Sequence, residues 1–235
     1  MSDDRAPPDD LLHAAIREAR DDAAPFALVA AGLACALALV SRHAGWELLG
    51  RTLWWIWLVL AGAYVALASG LLVGVGRAVG HDRRRPLVIG LLAAVLALTV
   101  AAVVILIATL VSHWGNAMTG RELLLTGATV WLANALAFGL AFWELDCGGP
   151  VARALSSAPR RPDFQFPQDE NPELARPGWS PRVWDYLYVS LTNSIAFSPT
   201  DAMPLTRWAK ALMAAESVLA AVTLVVVAAR AVNIL

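Results

Sequence analysis

Charge is the first scarcity. Asp, Glu, Lys and Arg make up 16% of the 235 residues, 58% are hydrophobic, and mean hydropathy is +0.59. Soluble domains carry about 25% charged and about 45–50% apolar residues. Residues 53–76 and 87–111 contain no charged side chain. Each stretch exceeds the ~20 residues that a helix needs to cross a hydrocarbon core. These gaps exclude a soluble globular domain and a disordered chain. Cysteine is scarce too. Cys35 and Cys147 are the only two, at positions that suit neither a disulfide framework nor a metal site. The four histidines, His13, His43, His81 and His113, have no second ligand at a useful spacing, so neither metal nor cofactor is expected. A net charge of −1 leaves no basic footprint for nucleic acid. No Ser/His/Asp or Cys/His constellation can be named, and an enzyme is not expected. The first 25 residues hold seven acids against three arginines, the reverse of a secretory leader. The first apolar run is therefore expected to stay as a span.

What is present is a set of apolar runs. Spans are expected over residues 26–41, 53–76, 87–111 and 123–143, with a last one over about 208–235. The first is short and should extend at one end. Pro7, Pro8, Asp9 and Asp10 make a plausible helix start. Leu11, Leu12, Ala15, Ile16 and Ala19 then repeat on one face. The chain thus divides into a cytoplasmic amphipathic segment (1–25), a four-helix bundle (26–143), a Pro-rich polar loop (144–183) and a hairpin with a final helix (184–235). Seven prolines between 150 and 181 argue against regular helix in the loop. Phe164, Phe166 and Trp179 imply that part of it packs down.

Small residues recur every four positions in the spans: Gly62, Ala66, Gly70 and Gly74 on the second; Ala30, Ala34 and Ala38 on the first; Ala93, Ala97 and Ala101 on the third; Thr129, Ala133, Ala137 and Ala141 on the fourth. Helices in lipid associate through close backbone approach at such stripes. Each stripe is expected to serve packing within the chain, or else a subunit interface. Arginine sets topology. The segments before the first span, between spans two and three, and after span four hold twelve arginines, including the Arg83–Arg85 run; the opposite loops hold Arg42, Arg51 and Arg121. The N-terminus and the loop carrying Arg83 are expected on the cytoplasmic side. Trp46, Trp54, Trp55, Trp57 and Trp114 would then form an aromatic belt opposite.

Residues 184–206 read WDYLYVSLTNSIAFSPTDAMPLT. The apolar part is too short and too polar to span easily. A helix that dips in and turns back is favoured over a sixth span, since irregular backbone at membrane depth needs protein or water to satisfy it. Ser198, Pro199, Thr200 and Asp201 suit the turn, and Thr206 or Asp201 suits a cap for the next helix. This segment resembles the pore unit of potassium-channel-type proteins, whose pattern is S-x-x-T-x-T-T-V-G-Y-G-D-x-x-P-x-T. Ser190, Asp201, Pro204 and Thr206 fall on its serine, aspartate, proline and threonine. Asn193 stands where the pattern has a threonine, and Ser194 lies between. Ala214-Ala215-Glu216 and Ala228-Ala229-Arg230 also resemble the last helix of bacterial members. The likeness covers about fifty of the 235 residues. The family's T-V-G-Y-G is replaced by Ala196, Phe197, Ser198, Pro199 and Thr200. The filter glycines permit backbone angles that other residues resist, so a potassium-selective carbonyl cage is not implied. The chain is also similar to uncharacterised bacterial membrane proteins carrying FWELD-x-GGP and SPTD-x-MPLT, which implies the inner membrane.

Glu216 is the one clear ionisable group inside a span. It is either a structural carboxylate or an ion or proton site. Asn134 is its natural polar companion, or else helix–helix glue. Glu144 and Asp146 are expected at a solvated helix end. The expected fold is an all-α polytopic bundle of about five transmembrane helices plus one re-entrant pore-like hairpin. Two functions stay open: ion permeation without potassium selectivity by a homo-oligomer, with a small ion as cargo, and a non-conducting scaffold or sensor. A membrane enzyme ranks third. The lipid bilayer is the expected partner.

Overall fold

The computed structural model describes residues 17–73, 81–112, 119–155, 162–196 and 201–234. Five helices are long and apolar enough to cross a membrane: α1 (Glu18–Ala44), α2 (Trp55–Val73), α3 (His81–Val111), α4 (Gly120–Leu145) and α8 (Arg207–Ile234). Between α4 and α8 lie α5 (Pro150–Leu155), strand β1 (Phe164–Gln165), α6 (Pro167–Glu170), α7 (Val183–Ala196) and strand β2 (Met203–Pro204). The chain is an all-α polytopic membrane bundle, and the two short strands are its only described sheet.

The first span extends at both ends, not one. Residues Glu18–Ala23 wind as a π-helix that runs straight into the α-helix beginning at Ala24, so the tail of the amphipathic segment belongs to α1. Residues 1–16 fall outside the described part. Pro25 near the start of the α-helical stretch suits an N-terminal turn, and Gly45 ends the helix at φ +66°, with Trp46 N–H donating to Ser41 at 2.9 Å. The Arg83–Arg85 run lies in the first turns of α3, not in a loop. Helix α4 starts with a reciprocal cap: Thr119 Oγ1 accepts from Glu122 N, and the Glu122 carboxylate accepts from Thr119 N at 2.9 Å.

Helix α4 is the centre of the bundle. It packs on α1, α3, α7 and α8, and 67% of its apolar window is buried, against 22% for α8. The small stripes divide accordingly. Ala30, Ala34 and Ala38 of α1 and Ala133, Ala137 and Ala141 of α4 are buried in the core. The stripes of α2 and α3 do not pack within the chain: Gly62, Ala66, Ala93, Ala97 and Ala101 face outward, and a Cβ at Gly62 would meet nothing within 4 Å. Gly70 alone of that stripe touches the bundle, against Leu91; Gly74 falls outside the described residues. In α2 the bulky face is the buried one, with Trp57, Leu60, Tyr64, Leu67 and Leu71 inside. Trp46 and Trp57 are thus core residues rather than belt residues. Trp54 carries the Arg42 guanidinium 4.9 Å above its ring, and Trp114 is not among the described residues.

Helix α7 decides how the hairpin runs. Its first residue, Val183, donates its N–H to Glu18 at the start of α1, and the same carboxylate oxygen accepts from Trp143 Nε1 near the end of α4. Trp184 stacks edge-on against Phe26 with ring centroids 4.6 Å apart. From there α7 runs antiparallel to α4, passing Gly139 at Leu187 and Ala135 at Ser190. Beyond it, Met203–Pro204 is back at the level where it started, paired antiparallel with Phe164–Gln165 beside the end of α4. The helix enters and the chain returns at one end of the bundle, which we call the base. Helix α8 then leaves from the base and runs the length of the bundle.

Candidate functional site

Two polar groups hold the hairpin, one at the base and one at mid-depth. At the base, α4 ends in Trp143-Glu144-Leu145-Asp146 and turns through Cys147, Gly148 and Gly149, all with positive φ (51°, 84° and 94°). A Cβ at Gly149 would stand 2.9 Å from the Glu144 carbonyl at a φ that side chains avoid. The turn aims the Asp146 carboxylate inward, where it is 1% exposed. Its Oδ1 accepts from the backbone N–H of Asp163 (2.7 Å) and Phe164 (3.3 Å), and its Oδ2 accepts from the Tyr186 hydroxyl. Asp163 in turn accepts from Cys147 N–H (3.0 Å) and from Trp208 Nε1 (2.8 Å). Arg153 donates to the carbonyls of Trp143 and Asp146 and lies 5.4 Å over the Tyr186 ring. Burial pushes the Tyr186 phenol well above its ordinary range, with the Arg153 guanidinium acting in the opposite sense.

This group overturns the expectation of a solvated helix end. Glu144 and Asp146 are both buried, at 5% and 1% exposure. The partners of Asp146 come from 17 to 40 residues downstream, so spacing along α4 could not reveal them. The signal available in sequence was the Asp-Cys-Gly-Gly-Pro run itself, a left-handed turn directly behind an acid. Part of the Pro-rich loop does pack down: Phe164 and Phe166 are buried, and Trp179 meets Phe166 edge-on at 5.9 Å. The FWELD-x-GGP and SPTD-x-MPLT segments meet here, since β2 of the second lies against β1 beside the carboxylate of the first.

At mid-depth, Glu216 stands nine residues into α8, about 14 Å from its start at 1.5 Å per residue. It is fully buried. Its Oε1 accepts from Ser194 Oγ at 3.0 Å and is also in hydrogen-bond contact with Ser190 Oγ; its Oε2 accepts from Asn193 Nδ2 at 2.7 Å. Asn193 also donates to the Met213 carbonyl (3.0 Å) and accepts from Ser217 (2.9 Å), while Ser190 reaches the Ala135 carbonyl of α4 at 2.6 Å. The spacing 190, 193, 194 puts these three side chains on one face of α7, the face turned to α4 and α8. Three of the pore-like residues are thereby brought together around Glu216.

The others lie apart. Ala196 and Asp201 are exposed. Asp201 makes no hydrogen bond among the described residues and borders a small cavity with Asp185 and Gln168, so it is not the cap of α8. That place goes to Thr206, whose Oγ1 accepts weakly from Ala209 N–H at 3.4 Å. Pro204 is half-buried in β2. Phe197, Ser198, Pro199 and Thr200 fall outside the described residues.

Asn134 is 1% exposed, and neither its Nδ2 nor its Oδ1 has a hydrogen-bond partner. It sits two turns along α4 from Gly127, whose Cβ position is 2.7 Å from Val227 of α8. Residues seven apart share a helix face, so Asn134 looks toward α8. Counting back the same distance along antiparallel α8 reaches Ala220, one turn from Glu216. No protein-family model, curated protein or solved structure matches this chain.

Proposed function

We propose that the protein is a non-conducting membrane scaffold or sensor in which the pore-like hairpin acts as a closed packing unit. The observation that carries this reading is the direction of the hairpin's polar side chains. Ser190, Asn193 and Ser194 are spent on Glu216 and on backbone carbonyls, and all three are buried to within 1%. A water-filled path needs such groups facing open space. The face that α7 does turn outward is Trp184, Tyr188, Leu191 and Ile195, at 37–64% exposure, which suits lipid or a packed neighbour. The absence of glycine at positions 198 and 200 points the same way, because a carbonyl filter needs unusual backbone angles there.

Ion permeation by a homo-oligomer is the second reading, favoured by the outward Gly62–Ala66 face, which could take a neighbouring chain closely. One hairpin per chain cannot enclose a pore, so that reading requires several chains around an axis. Purified protein in liposomes, with K+ and Na+ flux measured against protein-free vesicles, separates the two. No flux above background is expected. Sustained cation flux, together with a closed ring of chains in mild detergent, would replace the scaffold by a channel.

A further inference from the structure

At the end of the bundle opposite the base, an open groove of about 550 Å3 lies between the last turns of α1 and the first turn of α4, and its lining includes Leu39, Val40, His43, Arg121 and Glu122. Both helices are long and apolar enough to cross a membrane, so the groove stands where headgroups meet acyl chains. Each wall changes character along its helix. On α1, Leu39 and Val40 are 58% and 40% exposed, and His43 follows one turn nearer the helix end. On α4, Arg121 and Glu122 stand at the rim, and Leu124 and Leu125, 57% and 40% exposed, follow one turn deeper. Residues three and four apart share a helix face, so on both walls a polar rim sits above an apolar flank.

The rim keeps unused bonding capacity. Among the described residues Arg121 and His43 make no hydrogen bond or ion pair, whereas the neighbouring Arg42 guanidinium is seated over Trp54. Glu122 accepts from Thr119 N–H through Oε2, and its Oε1 has no partner among the described residues. The fixed charges of the groove are one guanidinium and one carboxylate on adjacent residues, and they sum to zero. A ligand that matches both carries one charge of each sign. An anion or a cation alone leaves one of the two unmatched.

We propose that this groove binds one phospholipid whose zwitterionic headgroup ends in a primary ammonium. The phosphate sits on Arg121 and His43, the ammonium on the free oxygen of Glu122, and the start of an acyl chain on Leu39 and Val40. The guanidinium fork matches phosphate oxygens, and the imidazole adds a further N–H donor. A quaternary ammonium has no N–H to give Glu122. The apolar flank suits an acyl chain and offers a water-soluble phosphate ester nothing. Basic pockets between spanning helices hold lipid headgroups, and the acid beside Arg121 gives this one its choice among them. The bound lipid bridges α1 and α4 at the end farthest from the base. None of these groups belongs to the hairpin, so the site stands whether or not the hairpin conducts.

The test is thermal unfolding of the delipidated full chain in mild detergent, with dioleoyl phosphatidylethanolamine, phosphatidylcholine or phosphatidylglycerol added at equal mole fraction. Phosphatidylethanolamine at ten times its Kd should raise Tm by about 3–6 °C for a chain of this size, with saturation, and the other two lipids by less. Glu122→Gln keeps a capping side chain at its position and should abolish the preference for ethanolamine over choline. Arg121→Gln should remove the gain from every lipid. Arg51→Gln changes an exposed cation outside the groove and should leave the preference intact; its loss there would assign the effect to the charge of that end as a whole and overturn the groove. Equal Tm in the three lipids overturns the proposal, as does a preference for phosphatidylglycerol or a gain that survives both groove substitutions. Glycerophosphoethanolamine, which has the headgroup without the chains, separates a lipid from a soluble phosphate ester. At the same concentration it should leave Tm unchanged, and a shift equal to that of the lipid would overturn the lipid.

Discussion

Gly139 of α4 lies against the backbone of α7: a Cβ placed there would stand 3.0 Å from Leu187 Cα and 2.6 Å from Leu187 Cδ2. The side chain could swing aside, but the backbone could not without moving the helix. Gly139→Ala should therefore push α7 off α4 at the level between the two polar groups. Overpacking of this kind costs about 1–3 kcal/mol, a Tm loss of several degrees. Gly62→Ala is the matched control. It meets nothing within 4 Å, and alanine favours helix over glycine by about 1 kcal/mol, so Tm should hold or rise. Equal losses at the two positions would mean that α4 and α7 are not in close contact.

The Asp146 carboxylate joins three separate stretches of chain through the N–H groups of Asp163 and Phe164 and the hydroxyl of Tyr186. Tyr186→Phe leaves one carboxylate oxygen without its donor and should cost about 1–3 kcal/mol. Asp146→Ala should cost more, since it strands the hydroxyl and two backbone donors at once. In the double variant the losses should fall short of the sum by about 0.5–3 kcal/mol, the coupling expected of groups in one network. Unfolding midpoints of the four proteins in detergent give that coupling directly. Strict additivity would show that the two side chains do not interact.

The parts of this fold that can be read from the sequence are those set by local composition. Helices α2, α3 and α4 announce themselves because uncharged runs of that length have one stable solvent. Glu216 and its companions on α7 stand out because polar groups are rare there. Faces were harder to read. The Gly62–Ala66–Gly70 stripe looked like a packing seam, yet α2 buries its Trp57–Leu60–Tyr64–Leu67 side, because residue size alone does not say which side meets α1. Asp146 was harder still. Its burial depends on Asp163 and Tyr186 folding back across 17 and 40 residues, and nothing within α4 signals their arrival. Glu18 is the same case: in sequence it is one acid among seven, and only the arrival of Trp143 and Val183 makes it the junction of three helices.

Return of the chain to the base also sharpens orientation. With the hairpin re-entering, Arg207 and Lys210 join the arginines of the base, and Arg230 lies toward the far end of α8. Among the described residues, Arg42, Arg51, Arg121 and Arg230 are the Lys and Arg that then belong to the opposite end. Cationic loops stay on the cytoplasmic side, so the base should face the cytoplasm. In a background with Cys35 and Cys147 replaced, single cysteines at positions 5, 51 and 83 can be probed on intact cells with a membrane-impermeant maleimide. Position 51 should react, while 5 and 83 should react only after the membrane is opened. The reverse pattern would invert the protein. Labelling of both 5 and 51 from outside would break the topology, because one span, α1, separates them.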